Sequence, residues 1–378
     1  MSAGLLIDHH VHGVVDHPLD RPSFELLINE GGAPPPRGQS HFDSPVGLAV
    51  LAHCAPVFGV EAGCDPDTYL EARAALGADE VNRRLVQGAG LGALLVDTGH
   101  RPGEVVEPAA MARLAGSPAY PVSRIERVAE DLAALVDGPR EWMDRIGAAL
   151  TDSAGRSAGF KTVVAYRGGF ALDPAPPSAR QLVAAADSWF AAGPQRLTSP
   201  VLLRHVLHLA VDAAAARAIP IQAHSGFGDS DLTLHLADPS VFTPWVRETG
   251  ARGVELIFLH CYPYHRNAGY LAAVYPHVSF DVGCMFHYTG ASSATVLAEA
   301  MELAPWTKLL YSSDAFGLPE FVYLGAVLFR RAMDRVLGEW TAAGDCTTRI
   351  AESIRSAVYA DNARRVYRLD ERHDLQEV

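Results

Sequence analysis

Cysteine is scarce and scattered in this chain. Five are spread over 378 residues (Cys54, Cys64, Cys261, Cys284 and Cys346), an odd number with no Cys-x-x-Cys pair. This argues against a disulfide framework and for reduced thiols. Long apolar runs are also missing. No stretch is long enough to span a bilayer. The N-terminus has no basic region and only Leu5-Leu6-Ile7 ahead of Asp8, so no signal peptide is expected. Positive charge is in deficit, with 31 Lys and Arg against 44 Asp and Glu, a net charge of -13. An acidic surface repels phosphate backbones, which argues against nucleic-acid and anionic-membrane partners. These absences describe a cytoplasmic protein whose partner is a small molecule.

What remains is an ordinary globular composition, 49% hydrophobic and 20% charged. Its length allows one large domain with an insertion or two ordinary domains. Short apolar runs at 5–12, 93–99, 122–128, 159–167, 219–228, 254–262, 278–283 and 308–317 end in polar or glycine clusters. Between most of them lie alanine- and leucine-rich stretches with helical spacing, such as 204–217 and 291–303. Strands alternating with helices indicate βαβ units and a parallel sheet. These runs predict an α/β fold, a (β/α)8 TIM barrel, which typically takes ~250 residues.

The surplus falls between the first and second strands. Residues 14–91 are too many for a βα loop. They include a Gly- and Pro-rich loop at 31–36 and helical patterns at 46–58 and 66–89. We read 1–378 as a single barrel domain, with 14–91 as a helical insertion over its mouth. The insertion would serve as lid or substrate wall, or else as a stability or dimerisation element. Residues 349–368 read as a C-terminal helix.

In such barrels catalytic residues sit at the C-terminal ends of the strands. His10 and His12, two apart, share one face of the first strand, with Asp8 behind them. Lys161 interrupts the apolar fourth strand. His224 ends the fifth, His260 the sixth and Asp314 the eighth. Each has a plain alternative: a hydrogen-bonded strand-end histidine, a lysine that snorkels or pairs with an acid, an aspartate that caps a helix. Together they set imidazoles, an amine and a carboxylate on one rim, the side chains of metal-site chemistry.

This arrangement resembles the amidohydrolase superfamily: His-x-His after strand one, Lys on strand four, His on strands five and six, Asp on strand eight. Three stretches narrow the resemblance to the amidohydrolase-2 type. They are Phe160-Lys161-Thr162 with Ala165-Tyr166-Arg167, the run from Gln222-Ala223-His224 through Phe227-Gly228-Asp229, and Tyr311-Ser312-Ser313-Asp314-Ala315. That family includes domains fused to, or encoded beside, glutamine-synthetase-like proteins, and the likeness extends to Asn362-Ala363 and Tyr367. The resemblance implies that His10, His12 and Asp314 hold one divalent metal, zinc in the first instance. His224 and His260 would hold a second, with a carboxylated Lys161 bridging the two. A mononuclear variant uses His10, His12, His224 and Asp314 and leaves His260 to orient or deprotonate the water; an unmodified, salt-bridged Lys161 would favour it.

A metal lowers the pKa of its bound water to about 7. Asp314, beside that water, is placed to take its proton and pass it to a leaving amine. The resemblance therefore implies hydrolysis of a carbon–nitrogen bond, and the kinship points to a γ-glutamyl amide or similar amino-acid derivative. A functional link to a glutamine-synthetase-like protein and self-association stay open. For substrate binding, Arg167 at the end of strand four has a guanidinium suited to a carboxylate, or to a structural ion pair. Arg124 and Glu126 share a face of strand three, and Asp229 and Asp231 follow strand five; these could bind amino and carboxyl groups or pair with each other. Tyr262, His265 and Arg266 follow His260, and Glu320 follows Asp314. The remaining histidines, His100 and His287 among them, read as surface or structural. Two rival readings are a mononuclear decarboxylase or hydratase of a small carboxylic acid, and a non-catalytic, partner-binding barrel.

Overall fold

The computed structural model describes residues 4–193, 195–372 and 375; the outermost ends of the expected 1–378 domain lie outside them. Among the described residues seven strands form one parallel sheet: β1 (Leu6–Val11), β2 (Leu91–Asp97), β3 (Ala119–Arg124), β4 (Gly159–Thr162), β5 (Ile221–His224), β6 (Leu256–Leu259) and β7 (Val278–Phe280). They pair in chain order, and a helix lies between consecutive strands. A parallel sheet is covered on both faces, so its strands read as short, nearly continuous apolar runs. Every residue of β5 and β6 is buried. One face carries Phe160, Ile221, Phe258 and Phe280 into the main core; the other carries Leu95, Val122, Ile257 and Leu259 into a second cluster with Leu310 and Tyr367.

The expected eighth strand is not a regular strand. Leu310 N–H donates to Phe280 O at 3.0 Å, while His9 N–H donates to Tyr311 O at 3.1 Å and His12 N–H to Ala315 O at 2.9 Å. The segment thus bonds to both edges of the curled sheet, through isolated bridges. The physical cause is the backbone turn at Asp314 and side chains that take its neighbours' donors. Asp314 adopts φ +52, Ser313 N–H is taken by Asp8 Oδ1 at 2.9 Å, and Ala315 N–H by Ser313 Oγ at 3.2 Å. Side chains there compete for donors that a ladder would need.

The third to seventh expected strands are shorter than read, and two of these differences move candidate residues. β3 stops at Arg124, and helix Ile125–Ala133 begins at once, so Glu126 lies in a first helical turn and does not share a strand face with Arg124. β4 stops at Thr162, and Arg167 closes the single 3-10 turn Val164–Arg167.

Between β1 and β2 lie helices Arg21–Leu27, Pro45–Ala49, Pro66–Leu76 and Ala78–Gly88, with a π turn (Val50–Cys54) and a 3-10 turn (Ala55–Phe58) after the second. Asp20, Ser44 and Asp65 each accept a backbone N–H three residues on, and a proline follows each cap. The expected helix 66–89 is broken at Gly77, whose φ of +77 is a left-handed conformation that glycine adopts without steric cost. Phe24, Phe42, Phe58 and Tyr69 form one aromatic cluster. Arg73 and Glu320 form a buried ion pair at 2.7 Å that joins helix Pro66–Leu76 to helix Pro319–Ala343. The C-terminal helical path is continuous but changes pitch: Thr348–Ser356, a π turn Ala357–Asp361, then Asn362–Tyr367. No helix of the described residues is long and apolar enough to cross a membrane.

Candidate metal centre and substrate cavity

β1 delivers its histidines through an irregularity. In a regular strand neighbouring side chains point to opposite faces. Here the pairing with β2 shifts register between Asp8 and Val11, and both His9 and His10 meet the same polar group. His9 Nδ1 lies 2.9 Å from Tyr367 Oη, and His10 Nδ1 lies 2.9 Å from Gln222 Oε1. Gln222 Nε2 donates to Tyr367 Oη at 2.7 Å and to His9 O at 2.8 Å. Those two donations assign the amide: its oxygen faces His10. His10 Nδ1 therefore carries the proton, and Nε2 keeps its lone pair for the cavity. His12 is set the same way, because Nδ1 donates to Asp97 O at 3.2 Å. Asp8, by contrast, turns to Ser313, accepting from its N–H and its hydroxyl.

Asp314 stands among three imidazoles. Its Oδ1 is 3.2 Å from His10 Nε2 and 3.6 Å from His12 Nε2, and its Oδ2 is 3.2 Å from His260 Nδ1. Asp314 and His260 both have positive φ, +52 and +55. Asp and His tolerate this conformation better than most residues, and here it turns both side chains inward from segment ends. His260 N–H is anchored by Asp281 Oδ1 at 2.8 Å. The His224 ring lies 4.9 Å from that of His260 and 4.5 Å from that of Tyr166. Lys161 Nζ reaches His10 Nε2 at 2.9 Å and lies 3.9 Å from Asp97 Oδ2.

The electrostatics follow from burial and from the mixture of charges. Burial, with Lys161 nearby, pushes His10 down to about 4 and holds His224 well below the usual histidine range. Burial does the same to His260. Burial also lowers Lys161. For Asp314 burial acts the other way, but His260, His10 and His12 outweigh it and keep the carboxylate ionised. Burial thus favours the neutral forms of His10, His224 and His260 beside an ionised Asp314 carboxylate, the forms in which imidazole and carboxylate bind cations. His224 Nε2 and both ring nitrogens of His260 are buried without a hydrogen bond. Unpaired buried polar atoms cost about 1–3 kcal/mol each, so a cluster of them marks a place shaped for a ligand. The ligand atoms of His10, His12 and Asp314 lie within 4.8 Å of one another, as do those of His260, Cys284 and Asp314.

Part of this cluster opens onto a cavity of about 440 Å³, with His10 and Cys284 buried behind it. His12, Lys161, His224, His260 and Asp314 line its floor, and charged residues of both signs line its wall. Arg167 Nη2 is 2.9 Å from Glu130 Oε1, while its Nε and Nη1 are buried without partners. Burial lowers Arg167 somewhat, with Glu130 and Glu126 opposing. Arg124 is held by Asp97 Oδ2 at 2.5 Å. Asp229 N–H donates to Tyr166 Oη at 3.1 Å. A Cβ on Gly228 would fall 2.1 Å from that hydroxyl and 3.1 Å from His224 Nε2, so only glycine fits this approach.

Arg124, Arg167, Asp229 and Asp231 thus reach the cavity wall, although Asp231 is committed to Arg196 at 2.7 Å. Glu126, Tyr262 and His265 are not brought to it. Glu126 accepts from Thr162 Oγ1 and Val163 N–H. Tyr262 stacks on His265, which pairs with Glu299 at 2.9 Å. Arg266 pairs with Glu299 and Glu302, and Glu320 with Arg73. The cavity gains residues that sequence reasoning passed over. Asp97, buried behind the lining and paired with Arg124 beside Lys161, ends β2 and was open to the same strand-end question that found His224. His100 lines the wall and packs on Phe316 at 4.8 Å. Glu30 reaches in from the segment between β1 and β2, held by Tyr288 Oη at 2.9 Å, and no local sequence signal marks it.

Comparison with known proteins places this geometry. A family model described as Amidohydrolase matches residues 7–369. Protein fluG of Emericella nidulans is 31% identical over 247 residues, 61% of this chain and 28% of the fungal protein; the chain spans little more than a quarter of that relative. Among solved structures, one from Lactobacillus casei described as a metal-dependent hydrolase is similar at a TM-score of 0.84 and 27% identity, covering 97% of this chain and 95% of its own. Glucuronate isomerase of Caulobacter crescentus is similar at a TM-score of 0.66 and 15% identity, covering 99% and 93%, a likeness of fold.

Proposed function

We propose, for a chain that belongs to the amidohydrolase family, that its cavity hydrolyses a carbon–nitrogen bond in a small amino-acid-type amide, a γ-glutamyl amide first among them. The observation that carries this reading is the convergence of His10, His12, Lys161, His224, His260 and Asp314 at the floor of a cavity whose wall carries both guanidinium and carboxylate groups. We take the seven strands and segment 309–317 as an eight-stave barrel, with 14–91 as the wall that delivers Glu30.

The donor set suits a divalent metal, zinc first: His10 and His12 with Nδ1 donating and Nε2 turned to the site, one ionised carboxylate, and three buried nitrogens of His224 and His260 without hydrogen bonds. In the two-ion arrangement His10, His12 and Asp314 would hold one ion and His224 and His260 the other, with a carboxylated Lys161 as a further ligand. Such a centre supplies an activated water and polarises the scissile carbonyl. The chain's own groups do the rest. Asp314, central among the imidazoles, accepts the proton of the attacking water and returns it to the departing amine. In a one-ion arrangement His260 would instead orient or deprotonate that water. Arg167, whose Nε and Nη1 are unpartnered, donates to the substrate carboxylate. Glu30 and Asp229 receive its ammonium. The tight His10, His12 and Asp314 cluster also favours a second reading, a one-ion centre that decarboxylates or hydrates a small carboxylic acid. We place the reaction in the reducing cytoplasm, in keeping with five unpaired cysteines.

The test is amine or ammonia release from a panel of γ-glutamyl amides by the metal-loaded protein. Release should vanish in both His10→Ala and Asp314→Asn. Release that survives either change refutes the mechanism; carbon dioxide without amine establishes the second reading.

A further inference from the structure

Asp314 divides its carboxylate between two sets of donors. Oδ1 faces His10 and His12, and Oδ2 faces His260. On the His260 side stands Cys284, which follows β7 by a few residues and is 2% exposed. Its sulfur lies within 4.8 Å of ligand atoms of both His260 and Asp314. His260 is fully buried, and neither of its ring nitrogens makes a hydrogen bond. The chain is also shaped for this approach: a Cβ on Gly283 would fall 2.8 Å from His260 Nδ1, and Gly283 has φ +37. Sulfur, imidazole nitrogen and carboxylate oxygen therefore meet beside the first donor set without sharing its histidines.

We propose that Cys284, His260 and Asp314 form a thiolate-containing cation site that selects a soft or borderline divalent metal such as zinc. The proposal rests on the reading of this cavity as a metal centre and adds a ligand to it. A thiolate in the donor set favours zinc over magnesium, calcium and manganese, which prefer all-oxygen sites. On binding, the S–H bond is replaced by a sulfur–metal bond and the proton leaves to solvent, so uptake is favoured as pH rises. Cys284 is set apart in this way from Cys54 and Cys261, neither of which joins such a group of ligand atoms among the described residues.

The experiment loads the purified, metal-free full chain with cobalt(II). The expected result is visible ligand-field absorption together with a near-ultraviolet thiolate-to-cobalt charge-transfer band. In Cys284→Ser the charge-transfer band should be lost completely while the ligand-field bands remain. Ligand-field bands with no charge-transfer band in the wild type overturn the thiolate site and leave the metal centre standing. A charge-transfer band that persists in Cys284→Ser also overturns it, by assigning the band to another cysteine. Absence of ligand-field bands altogether removes the metal centre and this site with it. Should the buried substitution fail to fold, X-ray absorption of the zinc-loaded wild type decides without a variant: a sulfur shell at about 2.3 Å is expected, and a shell of nitrogen and oxygen alone refutes the proposal.

Discussion

Replacing Arg73 with methionine tests how the segment between β1 and β2 is fastened to helix Pro319–Ala343. Arg73 Nε donates to Glu320 Oε1 at 2.7 Å, and Tyr69 Oη donates to the same oxygen at 2.8 Å. Arg73 is 4% exposed and Glu320 fully buried. Arg73→Met leaves the carboxylate with one neutral donor in a site that water does not reach. Breaking a buried pair from one side costs about 3–5 kcal/mol, a large share of the ~5–15 kcal/mol that stabilises a typical domain. Replacing both partners removes the stranded charge. Arg73→Met with Glu320→Met and Tyr69→Phe should therefore recover most of the loss, the last change sparing a hydroxyl without an acceptor, worth about 1–3 kcal/mol. The assay is equilibrium urea unfolding of the metal-free protein at constant m-value. A single variant that loses less than about 1 kcal/mol, or a triple variant no more stable than the single, refutes the view that an unpaired buried charge sets the cost.

Three further perturbations address the cavity. Zinc at about 100 times its dissociation constant should stabilise the wild type by about 2.7 kcal/mol, seen as a rise in melting temperature that a chelator reverses. An equal gain in Asp314→Asn combined with His10→Ala would place the metal elsewhere. Glu30 is pushed up to about 7 by burial, with Asp314 adding, from an ordinary 4.5. A raised folded-state pKa favours the protonated form, so its contribution is fully present below 4.5 and is lost as pH rises through about 7. Over that window the wild type should lose up to about 3 kcal/mol relative to Glu30→Gln in the metal-free protein, and parallel stability curves for the two would contradict the assignment. Gly228→Ala drives a methyl into Tyr166 Oη and against His224. Catalytic efficiency should fall by at least 10-fold, at ~1.4 kcal/mol per decade, with zinc affinity also reduced; unchanged values for both would mean that the loop relaxes freely.

Much of the site was legible because strand-end position is a one-dimensional property. His224 ends β5, His260 directly follows β6, and the polar groups there stand out against apolar runs. The misplacement of Glu126 was also avoidable. Ile125, Ala129, Leu132 and Ala133, all buried in the helix, recur at helical spacing from position 125 onward. The spacing of His10 and His12 pointed to one face for a reason that was only partly right, since His9 shares their side of the sheet. A bulge depends on the neighbouring strand's register, which no local pattern records.

Local chemistry along the chain determined the alternation of strands and helices, the caps at Asp20, Ser44 and Asp65, and which strand ends would carry imidazole, amine or carboxylate. These follow from side-chain periodicity and from hydrogen bonds that reach three or four residues. Tertiary structure decided what those groups meet. It brought Glu30 to the cavity across more than two hundred residues of separation from Tyr288, set Gln222 and Tyr367 beneath His10 to assign its tautomer, and turned Asp314 between two donor sets, one of which includes Cys284. Closing a curled parallel sheet through segment 309–317 makes neighbours of residues from opposite ends of the chain, and only that closure determines which donor faces which acceptor.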